Sequence, residues 1–232
     1  MGSVAGLVFD KDGTLFDFKA TWGGWAQRFL DELADGAPER ARRLGAAVGF
    51  DTDTGLFAPD SPIIAHTAPE IALYLVPFLP GMEHRALVAR MDALSATTEL
   101  AEAVPLVPFF DRLSAGGMRL GLVTNDAETP ARAHLNRAGV AGFFDFVAGA
   151  DSGFGAKPDP GPLLAFADAV GLRPETIVMV GDSCHDLIAG KAAGMRAVGV
   201  LTGIAGAEEL APVADAVLPD IGHLPDWIAA QS

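Results

Sequence analysis

The sequence predicts an α/β protein with a parallel sheet and a helical segment inserted after the first strand. Short apolar runs recur along the chain without polar alternation, as in strands that are buried on both faces. Helix-like stretches separate the later runs, and this spacing is typical of strand–helix–strand units. The segment after the first run has a residue pattern typical of helices throughout.

Each predicted strand is an apolar run that ends in a polar or glycine-rich turn. These runs cover residues 7–9, 120–123, 146–148, 177–180 and 197–200. The helices predicted between the later runs cover residues 129–138, 161–170 and 184–193. A glycine directly follows each of these helices, where helices commonly stop. The closing residues 218–228 are expected to form a loop and a short helix.

Residues 17–103 interrupt this rhythm and contain no strong strand signal. Four helices are predicted there, over residues 22–34, 38–48, 69–78 and 85–102. The simplest account is a helical domain inserted into an α/β domain. We therefore expect one domain over residues 1–16 and 104–232, and an inserted domain over 17–103.

The composition narrows the classes of partner. The 232 residues include 16 Lys and Arg against 30 Asp and Glu, a formal net charge of −14. That balance disfavours binding to nucleic acid or to an anionic membrane surface. No apolar run reaches the roughly 20 residues of a membrane span, and the N-terminus lacks a signal-peptide pattern. The sequence predicts a soluble cytoplasmic protein and leaves monomer and dimer open.

Acidic residues collect at the carboxyl ends of the predicted strands. In open α/β sheets, ligands bind outside these strand ends. We therefore expect the carboxylates to form one acidic site from distant parts of the sequence. The residues concerned are Asp10, Asp12, Asp126, Asp151 and Asp182.

The first motif is Asp10-Lys11-Asp12-Gly13-Thr14-Leu15, directly after a strand. Two carboxylates two residues apart can reach one centre at a strand end, and Gly13 allows a tight exit. A solvated Asp-Gly turn is the alternative. Lys11, between the two carboxylates, is expected to point elsewhere.

The second and third motifs are Thr124-Asn125 and Lys157-Pro158. A hydroxyl and a backbone N–H at a strand end can hold a phosphate oxygen, although Thr124 or Asn125 could equally cap a helix. Pro158 restricts Lys157 to an extended backbone, from which the side chain could project into a site. A lysine before proline is more often part of a surface loop.

The fourth motif is Gly181-Asp182-x-x-x-Asp186, in which two carboxylates flank a helix start. Mg²⁺ prefers oxygen ligands and is commonly held by one or two carboxylates together with substrate oxygens. Capping of the helix by Asp182 or Ser183 is the alternative.

Together, and in this order, the four motifs resemble those of the haloacid dehalogenase (HAD) superfamily of phosphotransferases. Within it, the chain looks most like the phosphoglycolate-phosphatase-like branch. The resemblance covers essentially the whole chain. It implies a doubly wound, Rossmann-like parallel sheet with a helical cap inserted after the first motif, over residues 17–103.

The resemblance also implies a role for each motif. Asp10 would be the nucleophile that forms an aspartyl-phosphate, and Asp12 the general acid and base. Mg²⁺ would be bound by Asp10, the backbone carbonyl of Asp12 and Asp182. The remaining implied residues are Lys157 for charge balance, Thr124 and Asn125 for the phosphoryl oxygens, and Asp186, Gly13 and Thr14 in support.

The function implied is a Mg²⁺-dependent phosphatase for a small phosphorylated metabolite, with phosphoglycolate as the family-level candidate. A phosphosugar mutase of the β-phosphoglucomutase type and a non-catalytic binding protein are the alternatives.

The cap should set substrate choice. The cap residues Lys19, Trp22, Trp25 and Arg28 lie near the first hinge and could approach the substrate. Helical spacing favours packing of both tryptophans in the cap core. His66 and His84 have no identifiable partner and are expected at the surface.

Overall fold

A computed structural model describes residues 4–58 and 60–231 of the chain. The strands are β1 (Gly6–Phe9), β2 (Phe50–Asp51), β3 (Leu56–Phe57), β4 (Arg119–Val123), β5 (Phe146–Ala148), β6 (Ile177–Gly181), β7 (Arg196–Val200) and β8 (Ala216–Leu218). The α-helices are α1 (Phe18–Leu33), α2 (Pro38–Ala47), α3 (Pro62–Ala65), α4 (Ala68–Leu75), α5 (His84–Ser95), α6 (Leu106–Ala115), α7 (Glu128–Arg137), α8 (Gly161–Val170), α9 (Cys184–Ala192), α10 (Ala207–Leu210) and α11 (Leu224–Ala229). Short 3₁₀ helices cover Val76–Phe78, Ala141–Phe143, Pro174–Thr176 and Ile221–His223.

Six strands form one parallel sheet in the order β5-β4-β1-β6-β7-β8. The strands β4 and β5 are added on one side of β1, and the strands β6, β7 and β8 are then added on its other side. The strand order therefore reverses at β1, where ligands bind in sheets of this type. This is the doubly wound α/β core that the sequence predicts.

Helices cover both faces of the sheet because its strands are apolar on both faces. Leu7 and Phe9 belong to the apolar cluster on the side of α6 and α7. Val8, which points the opposite way, shares a cluster with Phe166 of α8. Phe9 also packs edge-to-face on Phe110 of α6, with ring centroids 5.6 Å apart.

The helix α6 and the edge strand β8 have no counterpart among the predicted elements.

The inserted cap has an apolar cluster of its own. Its buried members include Phe18, Trp22, Trp25, Phe29, Leu30, Leu44, Phe50, Ile71, Leu87 and Met91, all from α1, α2, β2, α4 and α5. The assignment of residues 17–103 to one domain stays a proposal, which this separate cluster supports. No helix among the residues described here is both long and apolar enough to cross a membrane.

The cap departs from an all-helical prediction at one place. The strands β2 and β3 pair antiparallel, with Phe50 opposite Phe57. The Asp51 carboxylate accepts hydrogen bonds from the backbone N–H of Asp53 (2.8 Å) and of Thr54 (3.2 Å), which closes the turn. Two-residue strands are too short to show the alternation by which strands are recognised.

The last cap helix is shorter than predicted because the chain that follows it pairs with the other linker of the cap. α5 ends at Ser95, and the backbone carbonyl of Ala101 accepts a hydrogen bond from the N–H of Asp17 (2.7 Å). The N–H of Ala103 donates to the carbonyl of Leu15 at 2.9 Å. Both connections to the cap thus form one paired hinge beside the first motif.

Candidate active site

Three neighbouring strands place the motifs at one edge of the sheet. Phe9 pairs with Leu122 of β4 and with Val180 of β6, so the carboxyl ends of these strands are level. Asp10 follows β1, Thr124 follows β4, and Asp182 comes directly after β6. The sequence-predicted residues therefore converge although more than a hundred residues separate the first motif from the others.

Lys157 lies at the centre of this edge. Its ammonium is 2.5 Å from Oδ1 of Asp10 and 2.6 Å from Oδ1 of Asp186, and it donates to the carbonyl of Val123 at 2.8 Å. Asn125 holds the backbone of Lys157 from both sides. Its Nδ2 donates to the Lys157 carbonyl (3.0 Å), and its Oδ1 accepts from the Lys157 N–H (2.9 Å). The second and third motifs thus support each other.

Asp10, Asp182 and Asp186 form a carboxylate trio. One oxygen of each residue lies within 4.8 Å of the others, and all three residues are buried. The hydroxyl of Thr14 donates to Oδ1 of Asp182 at 3.3 Å. A buried set of oxygen donors fits a hard divalent cation such as Mg²⁺, so the trio could hold a metal ion.

Two glycines leave room for the Asp182 carboxylate. A Cβ at Gly13, which has a φ of +79°, would come within 2.3 Å of Oδ2 of Asp182. A Cβ at Gly203 would come within 1.8 Å of the same oxygen. Any side chain at either position would therefore displace this carboxylate.

Burial and mutual repulsion shift the pKa values of the acidic side chains at this edge of the sheet. Burial raises the pKa of Asp10 to about 6, with Asp186 adding to the shift and Lys157 opposing it. Burial also raises the pKa of Asp182 well above its usual value, and Asp10 and Asp186 add to that shift. Burial disfavours the Lys157 ammonium, but Asp10 and Asp186 outweigh it and raise its pKa. A bound divalent cation would favour the ionised acids.

Asp12 lies next to Asp10 in sequence but has different partners. Its Oδ2 pairs with the ammonium of Lys11, and its Oδ1 accepts a hydrogen bond from Nε1 of Trp22 at 2.7 Å. Burial raises the pKa of Asp12 to about 7, with Asp126 and Asp10 adding to the shift and Lys11 opposing it. A carboxyl with this pKa can both give and accept a proton near neutral pH.

The expectation that Lys11 points elsewhere is wrong. Its side chain is fully buried, and its ammonium lies 2.9 Å from Oδ2 of Asp126 as well as against Asp12. Burial disfavours this ammonium, but the two carboxylates outweigh it and raise the pKa of Lys11. The cause is tertiary, because Asp126 comes from the turn after β4.

His134 of α7 extends this network to the cap. Its Nδ1 is 3.1 Å from the Lys11 ammonium, and its Nε2 is 2.7 Å from the carbonyl oxygen of Ser95 at the end of α5. Burial and the nearby Lys11 lower the pKa of His134 to about 4, so the ring is neutral at physiological pH. Nε2–H then donates to Ser95, and Nδ1 accepts from Lys11. The sequence carries no signal for this residue, which lies inside a helix.

Thr124 and Asp151 have contrasting positions. Thr124 is buried, and its hydroxyl oxygen accepts the N–H of Asp126 at 3.1 Å, which leaves its own O–H to donate. Asp151 is exposed and accepts the N–H of Glu128 at the start of α7 (2.8 Å). The expectation that Asp151 joins the acidic site is therefore wrong.

A cavity of about 80 Å³ lies between this edge and the cap. Its lining residues are Asp10, Asp12, Phe18, Trp22, Trp25, Ile63, Ile64, His66, Ala68, Ile71, Met91, Asp92, Ser95, Thr124, Asn125 and Asp126. Trp22 and Trp25 pack in the cap cluster, as predicted, and also face this cavity. Lys19 and Arg28 are exposed on α1 and are not among the lining residues.

The two histidines of the cap differ. His84 is half-buried, and its Nε2 lies 2.8 Å from the carbonyl of Pro69, so the expectation that it lacks a partner is wrong. His66 is also half-buried and lines the cavity, so the expectation of a surface position is wrong for it. Its ring stacks on Tyr74, with centroids 6.1 Å apart.

Comparisons with known proteins agree with this geometry. The chain is 40% identical to a phosphoglycolate phosphatase of Rhodospirillum rubrum, over 96% of this chain and 90% of the relative. It is 30% identical to the pyrophosphatase PpaX of Bacillus velezensis, over 89% of this chain and 88% of the relative.

Solved structures share the fold. A predicted phosphoglycolate phosphatase of Haemophilus somnus superposes with a TM-score of 0.76 at 20% identity, covering 98% of this chain and 99% of that one. CbbY of Rhodobacter sphaeroides, solved with phosphate, gives 0.66 at 23% identity, covering 95% and 96%. The family model described as haloacid dehalogenase-like hydrolase matches residues 4–194. The chain therefore belongs to the haloacid dehalogenase-like hydrolase family.

Proposed function

We propose that this protein is a Mg²⁺-dependent phosphatase that hydrolyses a small phosphomonoester through an aspartyl-phosphate on Asp10. One observation carries the proposal: two neighbouring carboxylates have separate surroundings. Asp10 belongs to the carboxylate trio and pairs with Lys157. Asp12 instead contacts Lys11 and Trp22. Such separation suits a nucleophile beside an acid–base group. The family and the phosphatase names of the relatives support a phosphoric monoester hydrolase.

In the first step, a carboxylate oxygen of Asp10 attacks phosphorus and the bond to the ester oxygen breaks. Protonated Asp12 donates its proton to the departing oxygen, so an alcohol leaves and Asp12 becomes a carboxylate. Thr124 O–H and the Lys157 ammonium bind phosphoryl oxygens and offset their charge. Splitting one difficult displacement into two easier steps is the benefit of covalent catalysis.

In the second step, the Asp12 carboxylate takes a proton from water as the water oxygen attacks phosphorus. The bond between phosphorus and Asp10 breaks, inorganic phosphate leaves, and both acids return to their starting states. Lys11 and Trp22 keep the carboxylate of Asp12 oriented through both steps.

Asp10, Asp182 and the backbone carbonyl of Asp12 would hold the Mg²⁺, with Asp186 completing the trio. When bound, Mg²⁺ lowers the repulsion between the anionic nucleophile and the anionic ester and stabilises the transferring oxygens. Asp186 also pairs with Lys157 and, through Oδ2, accepts the N–H and O–H of Ser183 at 3.0 and 2.7 Å. These bonds fix Asp186 at the start of α9.

Phosphoglycolate is the first candidate substrate, because the Rhodospirillum relative is named for it. A cavity of about 80 Å³ suits a compact ester. The cytoplasmic location stays a prediction of the sequence.

The test measures phosphate release by the wild type and by Asp10→Asn, with Mg²⁺ and with EDTA, over a panel of phosphorylated metabolites. We expect Mg²⁺-dependent release by the wild type and a loss of ~10³-fold or more in Asp10→Asn. Asp151→Asn is the matched control, since Asp151 also follows a strand but lies outside the site, and it should keep full activity.

The same experiment separates the alternatives. Phosphate release without a bisphosphate activator would exclude a phosphosugar mutase. Equal inactivity of wild type and Asp10→Asn on every ester would leave the non-catalytic binding protein as the better interpretation. A wild type that is equally active in EDTA would contradict the metal dependence.

A further inference from the structure

Three residues on the cap side of the cavity carry buried polar atoms that have no hydrogen-bond partner among the described residues. The atoms are Nε1 of Trp25, Oγ of Ser95 and Nδ1 of His66. Trp25 is 4% exposed and Ser95 7% exposed, so both side chains are largely shielded from bulk solvent. Buried polar groups are almost always hydrogen-bonded, so unpaired ones that line a cavity are available to pair with a ligand bound there.

Contacts connect two of these residues to the acid–base group. Trp25 packs edge-to-face on Trp22, with ring centroids 5.4 Å apart, and Trp22 donates to Asp12. Ser95 is joined through its carbonyl to His134, which contacts Lys11, the ion-pair partner of Asp12. Trp25 and Ser95 therefore lie on the side of the site where the alcohol departs.

We propose that Trp25, Ser95 and His66 form a subsite that donates hydrogen bonds to an oxygen atom of the leaving group, either a carboxylate or a hydroxyl oxygen. This subsite rests on the proposed phosphatase function and assigns the chemical class of its substrates. The indole N–H can only donate, so its partner must be an acceptor. A leaving group made of hydrocarbon alone would leave all three groups unpaired.

The charges of the side chains that line the cavity indicate how the oxygen atom of the leaving group is recognised. The cavity side of Asp12 includes the carboxylates of Asp92 and Asp126, and the described lining contains neither Lys nor Arg. Selection therefore depends on N–H and O–H donors. The remaining wall is formed by apolar side chains such as Ile63, Ile71 and Met91, which exclude water from these bonds.

The test compares three esters with two-carbon leaving groups: phosphoglycolate, 2-hydroxyethyl phosphate and ethyl phosphate. They differ at the terminal carbon, which is a carboxylate, a hydroxymethyl group or a methyl group. We expect wild-type kcat/KM to be at least ~10-fold higher for one or both oxygen-bearing esters than for ethyl phosphate, because a site built to hydrogen-bond a group rejects analogues that lack it. The better of the two tells whether the carboxylate or the hydroxyl is the natural group.

Variants of the subsite should reduce this preference. Trp25→Phe keeps an aromatic ring without the N–H, and Ser95→Ala removes only the hydroxyl. We expect each variant to lower the ratio of kcat/KM for the preferred ester to kcat/KM for ethyl phosphate. In Trp25→Phe this ratio should fall below ~3. Trp227→Phe is the matched control, because Trp227 packs on Arg196 and is not among the cavity residues. It should keep the wild-type ratio.

Two outcomes would overturn the subsite. One is equal kcat/KM of the wild type for the three esters. The other is an unchanged ratio in both Trp25→Phe and Ser95→Ala, as expected if these residues only pack. Failure of the proposed function looks different: the wild type would then hydrolyse none of the three esters and no p-nitrophenyl phosphate, and the subsite would fall with it.

Discussion

The carboxyl of Asp12 is held by one partner from the core and one from the cap. Lys11 neutralises its charge, and Trp22 donates to its other oxygen. The carboxylate of Asp12 is not a member of the carboxylate trio, so it can change protonation without being a ligand of a metal held there. A pKa of about 7 places that change near neutral pH.

Asp12→Asn should therefore separate catalysis from metal binding. We expect kcat to fall by ~10²–10⁴-fold, the usual contribution of general acid–base catalysis. The Mg²⁺ concentration that gives half-maximal activity should change by less than ~3-fold, because the carboxylate of Asp12 is outside the trio. Steady-state kinetics over a Mg²⁺ titration checks both values. Comparable losses of kcat and of Mg²⁺ affinity would contradict the acid–base role.

Lys11→Met should destabilise the fold, because it leaves Asp12 and Asp126 buried without their shared cation. Removing one partner of a buried ion pair commonly costs ~3–5 kcal/mol. Urea unfolding without Mg²⁺ measures the loss. Lys191→Met is the control, since Lys191 pairs with Asp215 at a partly exposed position and should lose less than ~1 kcal/mol. A loss in Lys11→Met as small as the one expected for Lys191→Met would show that the Lys11 network adds no net stability.

For single residues of the site, the sequence predicts those that follow buried strands and misses those that are positioned by tertiary contacts. Asp10, Thr124 and Asp182 were found because an apolar run precedes each of them. Lys11 follows an apolar run as well, but its direction depends on Asp126 and His134, which lie more than a hundred residues away. Local patterns contain no information about such distant pairs.

The loop after β7 matters to the site although no predicted motif includes it. Thr202 donates its hydroxyl to the carbonyl of Gly13 at 2.5 Å, and Gly203 lies against the Asp182 carboxylate. The first motif, the fourth motif and this loop therefore pack as one unit.

Gly203→Ala should weaken metal binding, since its Cβ would displace the Asp182 carboxylate. Disturbing the groups that support a ligand commonly costs 10–100-fold in metal affinity. We expect a rise of at least ~10-fold in the Mg²⁺ concentration for half-maximal phosphate release. Gly206→Ala is the control, because a Cβ there meets nothing within 4 Å. An unchanged Mg²⁺ dependence in Gly203→Ala would argue against Asp182 as a ligand.

Helices were predicted well where local signals end them. The helix predicted over residues 161–170 coincides with α8, whose C-cap Gly171 has a φ of +67°. The prediction failed for α5, because the linker after Ser95 pairs with a segment more than eighty residues earlier. The edge strand β8 was missed because its three residues are only half-buried and show no continuous buried run.

The whole molecule carries a net charge of −14, and its buried acids couple folding to pH. An Asp in the unfolded chain ionises near pH 4. The folded-state pKa values of about 6 for Asp10 and about 7 for Asp12 mean that the folded protein binds more protons between these limits. These two groups therefore make the free energy of unfolding decrease as pH rises from about 4 to about 7.

Mg²⁺ should offset this loss, because it favours the ionised acids and is itself bound more tightly when they are ionised. We expect Mg²⁺ to raise the free energy of unfolding more at pH 7.5 than at pH 5. Urea unfolding at both pH values, with Mg²⁺ or EDTA, measures the difference. Asp182→Asn should lose the Mg²⁺ effect, and Asp151→Asn should keep it. An equal Mg²⁺ effect at both pH values would contradict the assigned site.

Two of the three tryptophans of the chain, Trp22 and Trp25, lie against the cavity with ring centroids 5.4 Å apart. Indole emission and near-ultraviolet circular dichroism both depend on neighbouring rings and charges. The protein therefore carries its own optical probe of the cleft, placed between the acid–base group and the proposed subsite. In a Trp227→Phe background, all indole fluorescence would come from this pair, and filling of the site could be followed in real time without a label.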